Sequence, residues 1–293
     1  MANDIAQTIT DRIISELEQG AAPWVKPWRS LRGTPANGLA YNPASGTVYR
    51  GINQFWLNMM QAAYPSNQWV TFKQAQALNG TVKAGEKGTG VVYWNVNRKE
   101  TTDANGDTVT SAYAFIKQYW VFNVSQCENL DLPEPEPMPK ADWQPESSVM
   151  SIVDRLALSG DLSHGGDSAY YRPSTDAIVM PPMAAFNSPE NYHATLLHES
   201  VHATGHEKRL KRLTPARFGS SDYAYEELVA ELGAAMLCAF CGIDGDLRHS
   251  GYIESWLKAL RNDKQFILSA AGKAQAAMDY LTKSAQADEA LAA

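Results

Sequence analysis

Residues 128–146 read ENLDLPEPEPMPKADWQPE, with prolines at the alternate positions 133, 135, 137 and 139. Proline has no backbone donor and restricts both its own φ and the residue before it, so neither a helix nor a sheet strand runs through such a stretch. The stretch is extended and semi-rigid, and the chain has to fold on either side of it. This predicts a first domain over residues 1–128, a linker over 129–145 and a second domain over 146–293. A length of 293 residues fits two domains, and 44% hydrophobic with 19% charged residues suits globular folds. No apolar run reaches the roughly 18 residues of a membrane span, so no membrane partner is expected. At the start, Ile5, Ile9, Ile13 and Leu17 form one stripe of an amphipathic helix, in place of the basic start and apolar block of a secretory signal. A cytoplasmic location is expected, and three cysteines fit it. Cys238 and Cys241 make a lone C-x-x-C inside an apolar helix, which reads as buried thiols.

Charge divides at the same boundary. Residues 1–126 carry 11 basic and 8 acidic side chains, and residues 127–293 carry 14 and 24. Within 26–100 there are 9 basic residues against 2 acidic, so the overall charge of −7 conceals a basic segment. Partners are read from such local charge. Six of the eight tryptophans lie before residue 121, interleaved with these cations. Bases stack on aromatic faces while Lys and Arg follow phosphates, and only single strands offer unstacked bases readily, so the pattern points to single-stranded nucleic acid. Phe55, Trp56 and Leu57 read as core on an amphipathic helix. The candidates for binding sit in irregular or turn segments: Trp24, Lys26, Trp28 and Arg29 among prolines, Tyr49 and Arg50 before a helix, and Lys83 and Lys87 around a glycine turn. Periodicity predicts helices over 3–19, 51–63 and 72–79 and strands near 89–97, 108–116 and 119–124, with Asn105-Gly106 as a hairpin turn. The first domain is therefore α+β with a curved antiparallel sheet.

The second domain contains HESVH at 198–202. Positions four apart share a helix face, so His198 and His202 can aim two imidazoles at one metal ion, with Glu199 beside it as a base for a bound water. Ser188-Pro189-Glu190 supplies an N-cap, a proline at the first helical position and an acid in the first turn, and Gly205 can end the helix. Upstream, AYYRPSTDAIVMPP reads as a hairpin whose strand Ala177–Met180 could pair with an extended peptide. Downstream, YAYEELVAELGAAMLCAF is an apolar helix carrying Glu226, Glu227 and Glu231. Glu227 is taken as the third ligand and Glu231, on the same face, as the group that orients a ligand histidine. Glu226 could exchange roles with Glu227, because spacing does not settle adjacent residues. His206 is a rival ligand, but the metzincin spacing would need a third histidine at 208, which is Lys208. Two imidazoles and a carboxylate favour Zn2+, with Mn2+ possible.

PWVKPW, the YRGIN of 49–53, the KAGEKGT of 83–89, and HESVHATGH followed by YEELVAE together resemble the plasmid antirestriction proteins of the ArdC type, over nearly the whole chain. The resemblance implies a DNA-binding N-terminal domain shared with plasmid primases and a zincin-like C-terminal domain with a metal site like that of SprT-type proteases. It further implies single-stranded DNA binding and protection of incoming plasmid DNA from host restriction during conjugation. Two alternatives stand beside that reading: a zinc metallopeptidase that DNA recruits to an unidentified protein substrate, and a non-catalytic DNA-binding protein whose zincin fold is structural.

Overall fold

The computed structural model describes residues 2–19, 39–61, 63–102, 108–132, 145–158, 160–214, 220–243, 252–263 and 265–282. In the first half, α1 (Ala2–Glu18) precedes a short hairpin of β1 (Tyr41–Asn42) and β2 (Thr47–Val48). Then come α2 (Ile52–Gln61), β3 (Trp69–Thr71), α3 (Phe72–Ala77), β4 (Thr81–Val82), β5 (Thr89–Thr102), β6 (Thr108–Asn123) and β7 (Cys127–Glu128). The second half holds α4 (Pro145–Asp154), β8 (Leu162–His164), β9 (Tyr170–Arg172), β10 (Ala177–Met180), α5 (Pro189–Thr204), α6 (Ser221–Cys241), α7 (Ile253–Asn262) and α8 (Gln265–Thr282). The class is α+β, as the periodicity predicts.

The main sheet of the first half runs β3-β6-β5 with antiparallel pairs throughout. The two strands expected at 108–116 and 119–124 are one strand, β6, paired with β5 from Thr102↔Thr108 to Thr89↔Val121. Lys117 and Gln118 interrupt the apolar pattern but not the ladder, because the ladder is made by backbone groups. Asn53 of α2 extends the sheet sideways: its side chain donates to the Val92 carbonyl (2.6 Å) and accepts from the Val92 N–H (2.9 Å). Strand β3 went unseen because three residues are too few to show a period. The Asn105-Gly106 turn and the proline run at 133–144 lie outside the described residues.

The proline run divides the chain in sequence, yet the two halves share an apolar core. Ile9, Ile13 and Leu17 of α1 and Phe55 and Trp56 of α2 belong to one buried cluster with Leu260 of α7 and Ile267, Ala274 and Leu281 of α8. The seam also has polar ties. Arg261 pairs with Glu18, Arg50 with Asp279, and the Gly51 N–H donates to Gln275 Oε1 at 2.7 Å. Cys238 and Cys241 are buried thiols on α6, and burial pushes the Cys241 thiol up to about 12. Among the described residues no helix is long and apolar enough to cross a membrane.

In the second half, β10 lies between β8, to which it is parallel, and β9, to which it is antiparallel. The hairpin is where the sequence puts it, but the expectation of a peptide-accepting edge at Ala177–Met180 is corrected. β10 has neighbours on both sides, and β8 and β9 are the outer strands. The reason is β8, whose three residues carry no alternation that would reveal it.

Candidate metal centre

The helix that carries HESVH starts as its sequence dictates. Ser188 Oγ accepts from the Asn191 N–H (3.2 Å) and Pro189 occupies the first turn. Its other end is capped by Gly205, where the sequence puts the stop. Gly205 is right-handed at φ −75°, and a Cβ there would lie 2.8 Å from Leu213 Cγ and 3.1 Å from Arg212 Nη2. Glycine is needed here for space. Through that gap Arg212 donates to the Val201 carbonyl (2.8 Å) and grips both carboxylate oxygens of Glu226 at 2.8 Å. Ser220 caps α6 by accepting from the Tyr223 N–H (3.3 Å). α6 then lies against α5 so closely that a Cβ on Gly233 would come within 2.8 Å of Val201 Cγ2.

This packing brings His198, His202 and Glu227 together, with one ligand atom of each within 4.8 Å of the others. His198 Nε2 and His202 Nε2 are 3.1 Å apart, His198 Nε2 is 3.6 Å from Glu227 Oε2, and His202 Nε2 is 3.5 Å from Glu227 Oε1. Donors about 2.0–2.1 Å from a tetrahedral ion stand about 3.3 Å from one another, so these separations fit a single divalent cation. Glu226, adjacent in sequence, points elsewhere. Its Oε1 accepts from His202 Nδ1 (3.2 Å). That bond places the proton on Nδ1 in the neutral ring and turns the Nε2 lone pair to the centre. Glu226 is thus the carboxylate that orients His202, and Glu231 is fully buried further along α6.

The site is strongly anionic. Burial disfavours a charged His202, but the bond to Glu226 and the charges of Glu199, Glu227 and Glu226 outweigh it and push the imidazole up to about 9. Burial likewise raises Glu227, and is outweighed by His198, His202 and the Tyr223 hydroxyl, which hold it down to about 2. Burial opposes ionisation of Glu226 too, yet Arg212 and His202 hold its carboxyl below the usual range. A pocket that draws a proton onto a histidine draws a divalent cation in its place.

Glu199 is buried on the same helix and borders the cavity of about 650 Å3 in front of His198, His202 and Glu227. Its Oε2 accepts from the Tyr171 N–H at 2.8 Å, on the outward side of β9. Tyr171 is itself anchored. Its hydroxyl donates to Asp176 Oδ1 (2.7 Å), and Asp176, at φ +49° in the hairpin turn, pairs with the buried Arg209. Tyr223 and Tyr252 complete the wall, hydroxyl to hydroxyl at 3.4 Å. Sequence reasoning missed Tyr171, Arg209, Arg212 and both wall tyrosines. None stands at a ligand spacing from HESVH, so no local signal marks them. His206, the rival ligand, lies past the helix end with its Nδ1 accepting from the Lys208 N–H (3.2 Å).

The nucleic-acid candidates are dispersed. Trp24, Lys26, Trp28 and Arg29 lie outside the described residues. Tyr49 turns inward: its hydroxyl donates to the Trp69 carbonyl (3.3 Å) and accepts from Asn42 (3.2 Å), and burial pushes it up to about 12. Arg50 is engaged with Asp279 at the seam, and Lys83 Nζ donates to the Ser125 carbonyl (2.8 Å) while remaining exposed. Lys87 is exposed beside a second cavity, between α2 and the β5–β6 sheet.

Two family models match the chain: the N-terminal domain of anti-restriction factor ArdC over residues 3–122, and a zincin-like metallopeptidase over residues 153–273. The chain is 39% identical to the uncharacterized protein y4eC of Sinorhizobium fredii over 95% of its own length and 91% of that protein's. It is 37% identical to a DNA primase TraC of Escherichia coli over 94% of its own length, but spans only 27% of that larger protein. The crystal structure of the antirestriction ArdC protein from the R388 plasmid, metal-free, superposes with a TM-score of 0.75 at 38% identity, covering 95% of this chain and 96% of that one. The Mn(II)-bound structure of the same protein gives 0.74 at 37% identity, covering 94% and 96%. With both domains matched in order and the likeness running nearly end to end, the chain belongs to the ArdC family of antirestriction proteins.

Proposed function

We propose that this chain binds single-stranded DNA through its first half and protects incoming plasmid DNA from host restriction during conjugation, acting in the cytoplasm with a divalent metal held in its second half. The observation that supports this most is the end-to-end likeness to ArdC, together with a basic, aromatic-rich segment over residues 26–100 holding 9 cations and 2 acids. His198, His202 and Glu227 would hold the ion, Glu226 orients His202, and Glu199 stands as base. Zn2+ is the favoured ion on its imidazole and carboxylate ligands, and Mn2+ is the alternative. Metal analysis of the purified protein should find about one divalent ion per chain, lost in His198→Ala and in His202→Ala. Transfer of a plasmid into a restricting host, with and without the protein, tests protection; equal survival in both would remove the reading.

A second reading, a metallopeptidase that DNA recruits to a protein substrate, is favoured by one feature: the base, the ion site and an outer β-strand border one cavity. A divalent ion supplies Lewis acidity and lowers the pKa of water. Glu199, held by the Tyr171 N–H, would take the proton from that water, and an extended peptide would lie along β9. Casein digestion with and without single-stranded DNA separates the readings. Absence of cleavage under both conditions leaves DNA protection with a structural zincin fold.

A further inference from the structure

We infer that the cavity between α2 and the β5–β6 sheet is a base-stacking site for single-stranded DNA, with Trp120 as its platform and Lys87 as its phosphate contact. The inference rests on the DNA reading above and deepens it, since it joins Lys87 of the glycine turn to Trp120, a residue of strand β6 outside the irregular segments. Trp120 is 56% exposed, the most exposed large apolar side chain among the described residues. In an antiparallel pair the residue directly opposite normally covers a side chain. The residue opposite Trp120 is Gly90, which has no side chain to offer. Across the cavity stand Trp56, almost fully buried, and Tyr64, packed edge-on against Trp69 at 5.3 Å. The cavity measures about 510 Å3, within the range of small-ligand sites, and its inner wall is aromatic.

Charge selects the occupant. Among the described residues lining the cavity, Lys87 carries the only charge. Its loop is fixed before any ligand arrives: Gln126 Nε2 donates to the Lys87 carbonyl (3.0 Å) and to Glu86 Oε2 (2.8 Å), which occupies the neighbouring carboxylate. An aromatic slot with one cation at its rim and no acid lining it matches a flat base joined to a phosphate. A duplex offers no free ring face and does not fit the same way. Strand alternation places Tyr93 and Tyr119 on the opposite face of the ribbon, where they pack edge to face at 6.0 Å. They serve as an internal control of similar aromatic area.

The test uses the full-length protein and two probes of equal length, an oligo(dT) strand and an abasic strand that has the phosphates but no bases. Wild type should prefer oligo(dT). Trp120→Ala should lose about tenfold or more of that affinity, with an unchanged salt dependence and unchanged binding of the abasic strand, because stacking releases no counterions. Trp120→Phe should recover most of the loss. Lys87→Gln should weaken both probes and flatten the salt slope by about 0.7. Photo-crosslinking of a 5-iodouracil strand to wild type should label peptides containing Trp120 or Lys87, which keeps the inference open to refutation if a variant folds poorly. Undiminished oligo(dT) binding by well-folded Trp120→Ala, or a loss confined to the Tyr93→Ala/Tyr119→Ala double variant, overturns the site and leaves the DNA reading standing. Failure of wild type to bind oligo(dT) at all removes the DNA reading and the site with it.

Discussion

The proton on His202 and a metal ion compete for one nitrogen. Raised from 6.5 to about 9, this histidine in the metal-free protein contributes stability that is fully present below pH 6.5 and lost as pH rises through about 9. Glu227, lowered from 4.5 to about 2, contributes stability present above pH 4.5 and lost as pH falls through about 2. Metal-free protein should therefore draw most from this site between pH 4.5 and 6.5, whereas metal uptake should tighten from pH 6.5 to 9 as the proton leaves. Melting curves in chelator across this range, and calorimetric metal titrations in two buffers, check both halves. Glu226→Gln should weaken metal binding about 10- to 100-fold and shift the uptake curve to lower pH; an unmoved curve would show that Glu226 does not set the proton on His202. Glu199→Gln should keep the metal and abolish any peptide hydrolysis, because the residue faces the cavity and is not one of the three converging donors. Metal lost in that variant would make Glu199 a ligand and refute the assignment.

Between elements, the centre depends on how closely α5 and α6 approach. Gly233 faces Val201, and a methyl group there would meet Val201 Cγ2 at 2.8 Å. Gly233→Ala removes a helix-weakening glycine but overpacks the contact, and overpacking of this kind costs about 1–3 kcal/mol. The contact lies on the helix pair that bears the three donors, so the variant should lose metal affinity as well as stability. Val201→Ala in the same chain should restore both by making room. Chemical denaturation and metal titration of the single and double variants read the outcome. A Gly233→Ala protein as stable as wild type would mean that the helices are free to part without disturbing the centre.

The halves of the molecule meet in an apolar cluster to which α1, α2, α7 and α8 all contribute. A chain divided by a proline run should then still unfold as a unit. Ile13, fully buried on α1, lies far in sequence from the metal helices. Ile13→Ala should cost about 2–5 kcal/mol and lower the temperature of metal release together with that of the fluorescence change. Two separated transitions, with metal release untouched, would show that the seam is weaker than its burial suggests.

Helical periodicity is local, and what depends on it was legible. The Ser188-Pro189 start, the shared face of His198 and His202 and the acids of α6 follow from residues three or four apart. So do the stripe of Ile9, Ile13 and Leu17 and the buried thiols of α6. The β9–β10 hairpin was readable from its turn, because Asp tolerates the left-handed conformation that Asp176 adopts. Sequence could not separate Glu226 from Glu227. Adjacent helical residues differ by about 100°, and only the position of α5 and Arg212 decides which meets the Nε2 atoms of the two histidines and which the back of His202. Nor could it show that β8 pairs with β10 and makes it the central strand, or that Trp120 faces a glycine across the ribbon. It could not join the halves across the proline run either. These are contacts between segments far apart in the chain, and no local pattern encodes them; packing does.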